Sequence, residues 1–526
     1  MKFEIIWNSQ DQKGPWNVPR TVLSTAVLGF ETVVLAVTPL GGGSMATTVN
    51  EQGLDERLAL LEKARTWSPR LISKLESHIR TADDRALYRI NPFTFAKERN
   101  IAEIEVVDLF LHATALGVFS MDWNLFCPKC CCVVDSFRSL KSVHNHYHCA
   151  FCATDYEAAL DEYIAVAFTV SPEIRKISFH DPLQLSAWDY FYQVRNTADG
   201  VLPDGVPLIT VKGTMTRAVN WIPAGQTTSV EVDGTEGALL GACPNGKACF
   251  LVTIDSATAS SPQAVNIPYG EATGAYAMHQ AAPGKVVFNV ENTTSELGLV
   301  CIAQLPPGFD INTIPLKFVP FLNGKRVLTS QTFRDLFRSE VIKASEGIDV
   351  KNITLLFTDL KGSTALYERI GDLNAFSLVQ RHFERLLDVT VRNNGAIIKT
   401  IGDAIMASFL QPADAVKAAL AMRNEIAAFN AEQADRALIL KIGIHTGPAI
   451  AVTLNDRLDY FGQNVNIAAR IQGIAEAGEI CLSEDVHADE EAAALLATLP
   501  VQSSKSKLRG MLEDFRVFRI GSEQPN

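Results

Sequence analysis

Two aspartates stand where chemistry on a polyphosphate could begin. Asp359 closes the apolar run Ile353-Thr-Leu-Leu-Phe-Thr-Asp359, and Leu360-Lys-Gly-Ser-Thr364 follows before a helical pattern starts. Asp403 ends Lys399-Thr-Ile-Gly-Asp403, at the expected tip of a hairpin between the apolar runs 396–398 and 404–409. Each carboxylate falls where a strand ends, so the two could meet on one edge of a sheet. Paired carboxylates beside a Gly/Ser/Thr turn that opens a helix suit Mg²⁺ holding a nucleotide polyphosphate, because hard oxygens ligate the cation and helix-start amides face phosphate. Taken singly, each aspartate would read as an ordinary N-cap or turn residue.

A second group of reactive side chains is a set of thiols. Six of the ten cysteines crowd between Cys127 and Cys152, and Cys127-Pro-Lys-Cys130 is separated by 18 residues from Cys149-Ala-Phe-Cys152. Two CxxC knuckles at this separation match a structural zinc ribbon, in which four thiolates close a tetrahedral shell and leave no open position. Cys131, Cys132, His144, His146 and His148 are close enough to compete as ligands, but the paired spacing favours the four cysteines. Such clustering is metal-site usage in a reducing compartment, which points to the cytoplasm and away from a disulfide framework.

Three segments of the last third carry a resemblance. Phe357-Thr-Asp359-Leu-Lys-Gly-Ser-Thr364, Lys399-Thr-Ile-Gly-Asp403 and Asp459-Tyr-Phe-Gly-Gln-Asn-Val-Asn466-Ile-Ala-Ala-Arg470 resemble, in order, the signature segments of class III nucleotidyl cyclases. The likeness spans about residues 350–520. It implies that Asp359 and Asp403, with the Leu360 carbonyl, hold two Mg²⁺ or Mn²⁺ ions per active site. It also implies that Gly362, Ser363 and Thr364 cradle the β- and γ-phosphates, and that Asn466 orients the ribose while Arg470 stabilises the transition state. Arg509 roughly matches a phosphate-touching basic residue, with Lys505 and Lys507 as competitors. Asn466 and Arg470 are four apart in an expected helix and hence share a face.

Lys399 and Asp459 would read the base. A lysine donor and a carboxylate acceptor complement N1 and the N6 amino group of adenine, and in the resembled family this combination marks adenylyl rather than guanylyl cyclases. The expected reaction is therefore ATP to cyclic AMP and pyrophosphate. In that family one catalytic domain supplies the metal aspartates and another supplies the base readers and the Asn/Arg pair. This chain has one such domain holding both halves, which implies a head-to-tail homodimer. The competing readings are a guanylyl cyclase, or a DNA- or protein-binding regulator with a weakly active cyclase domain.

These residues need a scaffold, and at 526 residues with 47% apolar and 20% charged content the chain has room for two to four ordinary domains. The formal net charge of −12 argues against broad nucleic-acid binding. Residues 1–44 are expected to be a poorly ordered extension. The apolar stretch from Val22 to Leu40 carries Glu31 at its centre, which disfavours a membrane span. Residues 45–126 read as a helical, winged-helix-like unit in which protein packing is favoured over DNA, and 127–182 as the zinc-ribbon region. Residues 183–310 read as a β-rich regulatory domain, a sandwich or barrel, whose short strands include Leu208–Lys212, Thr228–Val232, Cys249–Ile254 and Lys285–Val290. Residues 326–348 are expected to be a linker built on one amphipathic helix from Leu328 to Lys343. Residues 350–520 alternate strands and helices as an α+β layer with a mainly antiparallel sheet, the ferredoxin-like palm that the resemblance implies.

Overall fold

The computed structural model describes residues 48–521, apart from 247, 257–263, 271–274, 311–312, 344–345, 433–437 and 512–513, together with four strand fragments of two or three residues between Trp16 and Pro39. The extension expected over 1–44 lies otherwise outside the described residues. Among the described residues no helix is long and apolar enough to cross a membrane.

Four helices open the ordered chain: α1 Glu51–Ala64, α2 Leu71–Thr81, α3 Pro92–Arg99 and α4 Glu103–Ala115. Their starts follow local chemistry. The Asn91 side chain accepts from the Phe93 amide at 3.0 Å, with Pro92 at the first helical position. Leu71, Leu75 and Ile79 recur every four residues and form the buried stripe of α2.

The helices pack on a three-stranded sheet in the order β2 (Val133–Phe137), β1 (Phe119–Phe126), β5 (Ile164–Val170). Phe110 of α4 stacks on Phe168 of β5 with ring centroids 4.9 Å apart. Both partners of β1 come from beyond residue 126: β2 lies between the two cysteine knuckles and β5 beyond the second. Between them lies the hairpin β3 (His146–Cys149) and β4 (Thr154–Glu157).

Two sheets follow, β6 to β13 in chain order: Thr216–Ile222, Thr227–Gly234, Gly237–Cys243, Ala248–Ile254, Ala264–Tyr269, Ala277–Ala281, Gly284–Asn292 and Gly298–Leu305. One sheet runs β6-β13-β8-β9-β11 and the other β7-β12-β10. They enclose a shared core of Val230, Val232, Phe250, Val252, Val286, Phe288 and Ile302. Alternation drives this packing, since Val230 and Val232 point inward while Ser229, Glu231 and Asp233 stay exposed. Leu208–Lys212 is not a strand. It starts helix α5, Leu208–Met215. Its β-branched residues favour extension, but Lys212 is held by Asn196 Oδ1 at 2.7 Å and Cys132 Sγ at 3.1 Å, and tertiary bonds of this kind override local propensity.

The expected linker helix is also corrected. Two short helices stand in its place, α6 Gly324–Leu328 and α7 Gln331–Leu336, and the chain then leaves helical geometry. Ser330 caps α7, its hydroxyl accepting from the Phe333 amide at 3.3 Å. Beyond it, the Glu340 carboxylate accepts from the Leu140 amide at 2.7 Å, and the Ile342 amide donates to Thr453 Oγ1 at 2.9 Å. Bonds to distant segments replace the i→i−4 ladder that one continuous helix would need.

The last unit is one mainly antiparallel sheet flanked by helices. Its strands are β14 Ile348–Leu360, β15 Gly395–Ile401, β16 Ala404–Phe409, β17 Leu440–Leu454, β18 Arg457–Phe461, β19 Ile480–Ser483, β20 Val501–Lys507 and β21 Asp514–Ile520. The order is β15-β16-β14-β17-β19-β21-β20, with β18 paired to the far end of β17 and only β17–β19 parallel. Its helices include α8 Ser363–Ile370, α9 Asp372–Arg392, α10 Pro412–Ala431 and α11 Gln463–Gly473.

The two faces of this sheet have different partners. Leu356, Ala407 and Ile444 share a core with Leu378, Leu386 and Met422 of α9 and α10. Leu355, Phe357, Ile398, Met406, Leu458 and Tyr460 instead belong to the core that runs through the N-terminal helices and Phe333. The N-terminal region is thus packed directly onto the second face of this sheet.

Candidate active site

Asp359 lies at the end of β14, in step with Leu355 and Phe357, and pairs in register with Lys441 of β17. Asp403 sits at the two-residue turn between β15 and β16, where Gly402 takes φ +64°. The two carboxylates face one another closely enough to interact. Burial first, and then the negative charge of Asp403, raise the Asp359 carboxyl above its usual range, while Lys441 and Gln472 act in the opposite sense. Asp403 Oδ2 is buried and has no hydrogen-bond partner among the described residues. An orphaned carboxylate oxygen beside a second, charge-repelled carboxylate is what a divalent cation relieves, and the donor set of hard oxygens fits Mg²⁺ or Mn²⁺.

Gly362 begins α8 in the left-handed region, φ +72°, and a Cβ added there would meet nothing within 4 Å. The helix start beside Ser363 and Thr364 is therefore open to a bound anion, with its first amides unpaired inside the helix. Leu360 is buried, and its carbonyl end of β14 leads into this turn.

Lys399 and Asp459 come from β15 and β18, which are 60 residues apart in sequence. Lys399 Nζ donates to Asp459 Oδ2 at 2.5 Å, and Asp459 Oδ1 accepts from the Tyr460 amide at 2.8 Å. The aspartate side chain is 8% exposed and the lysine 36%. The pair therefore presents a donor and an acceptor from the edge of a buried group, in fixed relation to the backbone.

On α11, Asn466 is exposed and Arg470 is half-buried, and among the described residues no carboxylate pairs with Arg470. A Cβ built on Gly510 would lie 3.6 Å from Arg470 Nη2, so α11 brings Arg470 against the loop that carries exposed Arg509.

Several neighbours escaped the sequence reading. Gln472 lies beside Asp359 and Tyr367 feels both aspartates, which only the tertiary packing around the end of β14 reveals. Arg334 of α7 is another. Its Nη1 donates to the Leu458 carbonyl at 2.9 Å, its Nε donates to the Leu328 carbonyl at 2.7 Å, and it lies over the Tyr460 ring at 5.9 Å. No sequence signal marks it, because its partners Leu458 and Tyr460 lie more than 120 residues along the chain.

The four cysteines of the knuckles form a separate centre. All four sulfurs lie within 4.8 Å of one another, with Cys127 to Cys152 at 3.7 Å and Cys130 to Cys149 at 3.6 Å. Tetrahedral thiolates at the usual Zn–S distance of about 2.3 Å stand about 3.8 Å apart, so the group fits zinc. The other candidates are turned to different work. Cys132 is held by Lys212, Cys131 packs against Gly200 and the His148 Nδ1 atom is 2.9 Å from Asp155 Oδ1.

Comparison with known proteins places these centres in two families. Residues 53–335 match a family of unknown function (DUF5939), and residues 347–504 match the adenylate and guanylate cyclase catalytic domain. Adenylate cyclase of Mycosarcoma maydis is 32% identical over 158 residues, covering 26% of this chain and 6% of its own. Adenylate cyclase 1 of Rhizobium meliloti is 30% identical over 138 residues, covering 24% and 21%. The chain spans about a quarter or less of the length of the first curated relatives it matches. Among solved structures, the adenylyl cyclase CyaB from P. aeruginosa is similar at 22% identity and a TM-score of 0.30, covering 34% of this chain and 97% of that one.

Proposed function

The chain belongs to the DUF5939 family of unknown function through its residues 53–335 and carries a cyclase catalytic domain behind them, and on that premise we propose that it is an adenylyl cyclase under the control of its N-terminal region. The observation that carries the choice of ATP over GTP is the Lys399–Asp459 pair. The ammonium donates to adenine N1 and the carboxylate accepts from the N6 amino group, whereas guanine offers O6 and N1–H and would want the reverse order. Both groups are positioned by β-strands and need no rearrangement of the backbone.

The reaction joins the ribose 3′-oxygen to the α-phosphorus and breaks the bond from that phosphorus to the β-bridging oxygen, releasing pyrophosphate and one proton. Asp359, Asp403 and the Leu360 carbonyl would hold two Mg²⁺ or Mn²⁺ ions, which supply acidification of the 3′-hydroxyl and neutralisation of the polyphosphate. The amides from Gly362 to Thr364 hold the terminal phosphates, and Arg509 adds a guanidinium at their rim. Asn466 orients the ribose. Arg470, which has no carboxylate partner among the described residues, directs its charge at the oxygens that become more negative at the transition state.

Residues for the metal and for the base would meet across a homodimer. Asp359 and Lys399 stand on strands whose side chains share the second face of the sheet, so this face would receive the partner copy once the N-terminal region, which packs on it in the single chain, has moved aside. The same face touches α7, and Arg334 grips the strand that carries Asp459. Control by the N-terminal region rests on that contact. The four-thiol centre, in this reading, holds one structural zinc ion.

The test is cyclic nucleotide formation by the full chain with Mn²⁺ and ATP or GTP. Cyclic AMP as the dominant product is expected. No turnover of either nucleotide would remove the enzymatic reading, and comparable or faster turnover of GTP would overturn the base assignment.

A further inference from the structure

In the N-terminal region, Arg85 and Arg89 both lie near the ring of Tyr88, at 5.8 and 4.9 Å from its centroid, on the wall of a cavity of about 220 Å³ between α3 and the strands β1 and β5. Arg85 Nη1 donates to the Tyr88 carbonyl at 3.1 Å, and Arg89 Nη1 donates to the Val194 carbonyl at 2.7 Å. A guanidinium carries five N–H donors, so most of this capacity is left over. Neither group has a carboxylate within 4.0 Å among the described residues. The cavity's third arginine, Arg99, does: it pairs with Glu98 at 2.9 Å and lies 4.0 Å over the Phe95 ring.

Two neighbouring cations with no carboxylate in pairing distance among the described residues are costly. Burial, and then the charge of Arg89, push the Arg85 guanidinium below its ordinary value, and Tyr88, Asp199 and Asp83 oppose this, the two carboxylates only from beyond pairing distance. Arg89 is also held at φ +48°, a left-handed backbone conformation that a non-glycine residue rarely adopts. Strain and unpaired charge concentrated on one cavity wall are the marks of a binding site rather than of a packed core. The remaining wall is mixed. Phe126 and Phe321 offer apolar surface, and Asp199, which accepts from Thr197 Oγ1 at 3.0 Å and Asn91 Nδ2 at 3.3 Å, offers an acceptor.

We propose that this cavity binds a small molecule bearing a phosphate monoester on an aromatic or apolar body, with Arg85 and Arg89 as its counter-charges. A phosphate presents several oxygens to two guanidinium forks at once, and charge-assisted bonds of this type are about twice as strong as neutral ones. The aromatic body fills the space beside Phe126 and Phe321, and a hydroxyl or amino group on it donates to Asp199.

The experiment uses the full chain with chelator present, so that phosphate held through divalent cations does not contribute. Phenyl phosphate, inorganic phosphate and benzyl alcohol are compared by calorimetry and thermal shift. Phenyl phosphate is expected to bind and raise the melting temperature by mass action, inorganic phosphate to bind more weakly and benzyl alcohol not to bind measurably. The double variant Arg85→Gln/Arg89→Gln is expected to weaken phenyl phosphate by about tenfold or more. Without ligand it should melt no lower than the parent, since it loses two unpaired charges, whereas a purely structural arginine pair would lower the melting point when removed. Should that variant not fold, hydrogen exchange on the parent decides: phenyl phosphate should protect residues 85–99 and 193–199. Absence of phenyl phosphate binding, equal binding by the folded variant, or protection confined to the catalytic domain would each overturn the proposal.

Discussion

Arg334 and Tyr460 lie cation over ring at 5.9 Å, and the same guanidinium donates to the Leu458 carbonyl, so a side chain from α7 clasps the residues on both sides of Asp459. This joins the N-terminal region to the strand proposed to read the base. Arg334 is pushed below its usual pKa mainly by burial, yet its bonds to two backbone carbonyls hold it in place.

Arg334→Ala should therefore raise the KM for ATP more than it lowers kcat, because it loosens the position of Asp459 without touching the phosphate or metal groups. Arg334→Lys should restore only part of the loss, since one ammonium cannot reproduce both bonds of a planar fork. Steady-state kinetics on both variants check this. An unchanged KM with a lowered kcat would place Arg334 outside base positioning.

Changing Lys399 or Asp459 should relax the preference for ATP over GTP through a large loss of ATP turnover. Lys399→Ala leaves the Asp459 carboxylate, 8% exposed, without its 2.5 Å partner, so some loss of stability should accompany the loss of selectivity. Asp403→Ala should abolish metal-dependent turnover, and a fully active Asp403→Ala protein would rule out the two-metal reading. The ratio of kcat/KM for the two nucleotides, measured beside the melting temperature, separates these effects.

Legibility in the sequence depended on whether an element's signal was local. The hairpin around Asp403 could be placed because Gly402 and Asp403 break two apolar runs, and it is found at Gly395–Ile401 and Ala404–Phe409. The four-cysteine cluster followed from spacing alone. The linker did not, because the apolar period of 328–343 suits a helix while Glu340 and Ile342 are claimed by Leu140 and Thr453, more than a hundred residues away. Leu208–Lys212 failed for the same reason through Lys212. The closure of β1 by strands from 133–137 and 164–170 was equally hidden, since pairing partners across a cysteine segment leave no periodic trace.

A mixed dimer tests the shared site. Asp359→Ala and Lys399→Ala should each be strongly impaired, since each damages both sites of a homodimer. In a heterodimer of the two, both lesions fall in one site and the other is intact. Mixing the proteins, with subunit exchange verified by differential tags, should restore up to half the activity per heterodimer. Verified heterodimers no more active than their parents would mean that one chain supplies every catalytic group.

Elemental analysis should find one zinc per chain, and Cys130→Ser should lower both zinc content and the melting temperature. The four sulfurs bring β1 and the β3–β4 hairpin together, so losing the metal should loosen that hairpin first. Metal-free protein with an unchanged melting profile would sink the structural role.

The last expectation concerns acid. His382 on α9 is fully buried among apolar residues, and neither ring nitrogen has a partner among the described residues. Burial lowers its pKa from 6.5 to about 4. The folded domain therefore keeps the ring neutral down to about pH 4, while the unfolded chain takes up a proton already near pH 6.5. In that window the unfolded state binds more protons, so stability falls as the pH is lowered, by at most about 3 kcal/mol for this one group. Above pH 6.5 the contribution is flat. His382→Leu should remove this part of the acid sensitivity and leave stability at neutral pH equal or higher, since it replaces two unpaired buried nitrogens with apolar surface. Hydrogen-exchange protection of the α9 amides, corrected for intrinsic rates and followed from neutral to acid pH, gives the slope directly. A slope unchanged by His382→Leu would show that the ring is solvated or paired in solution.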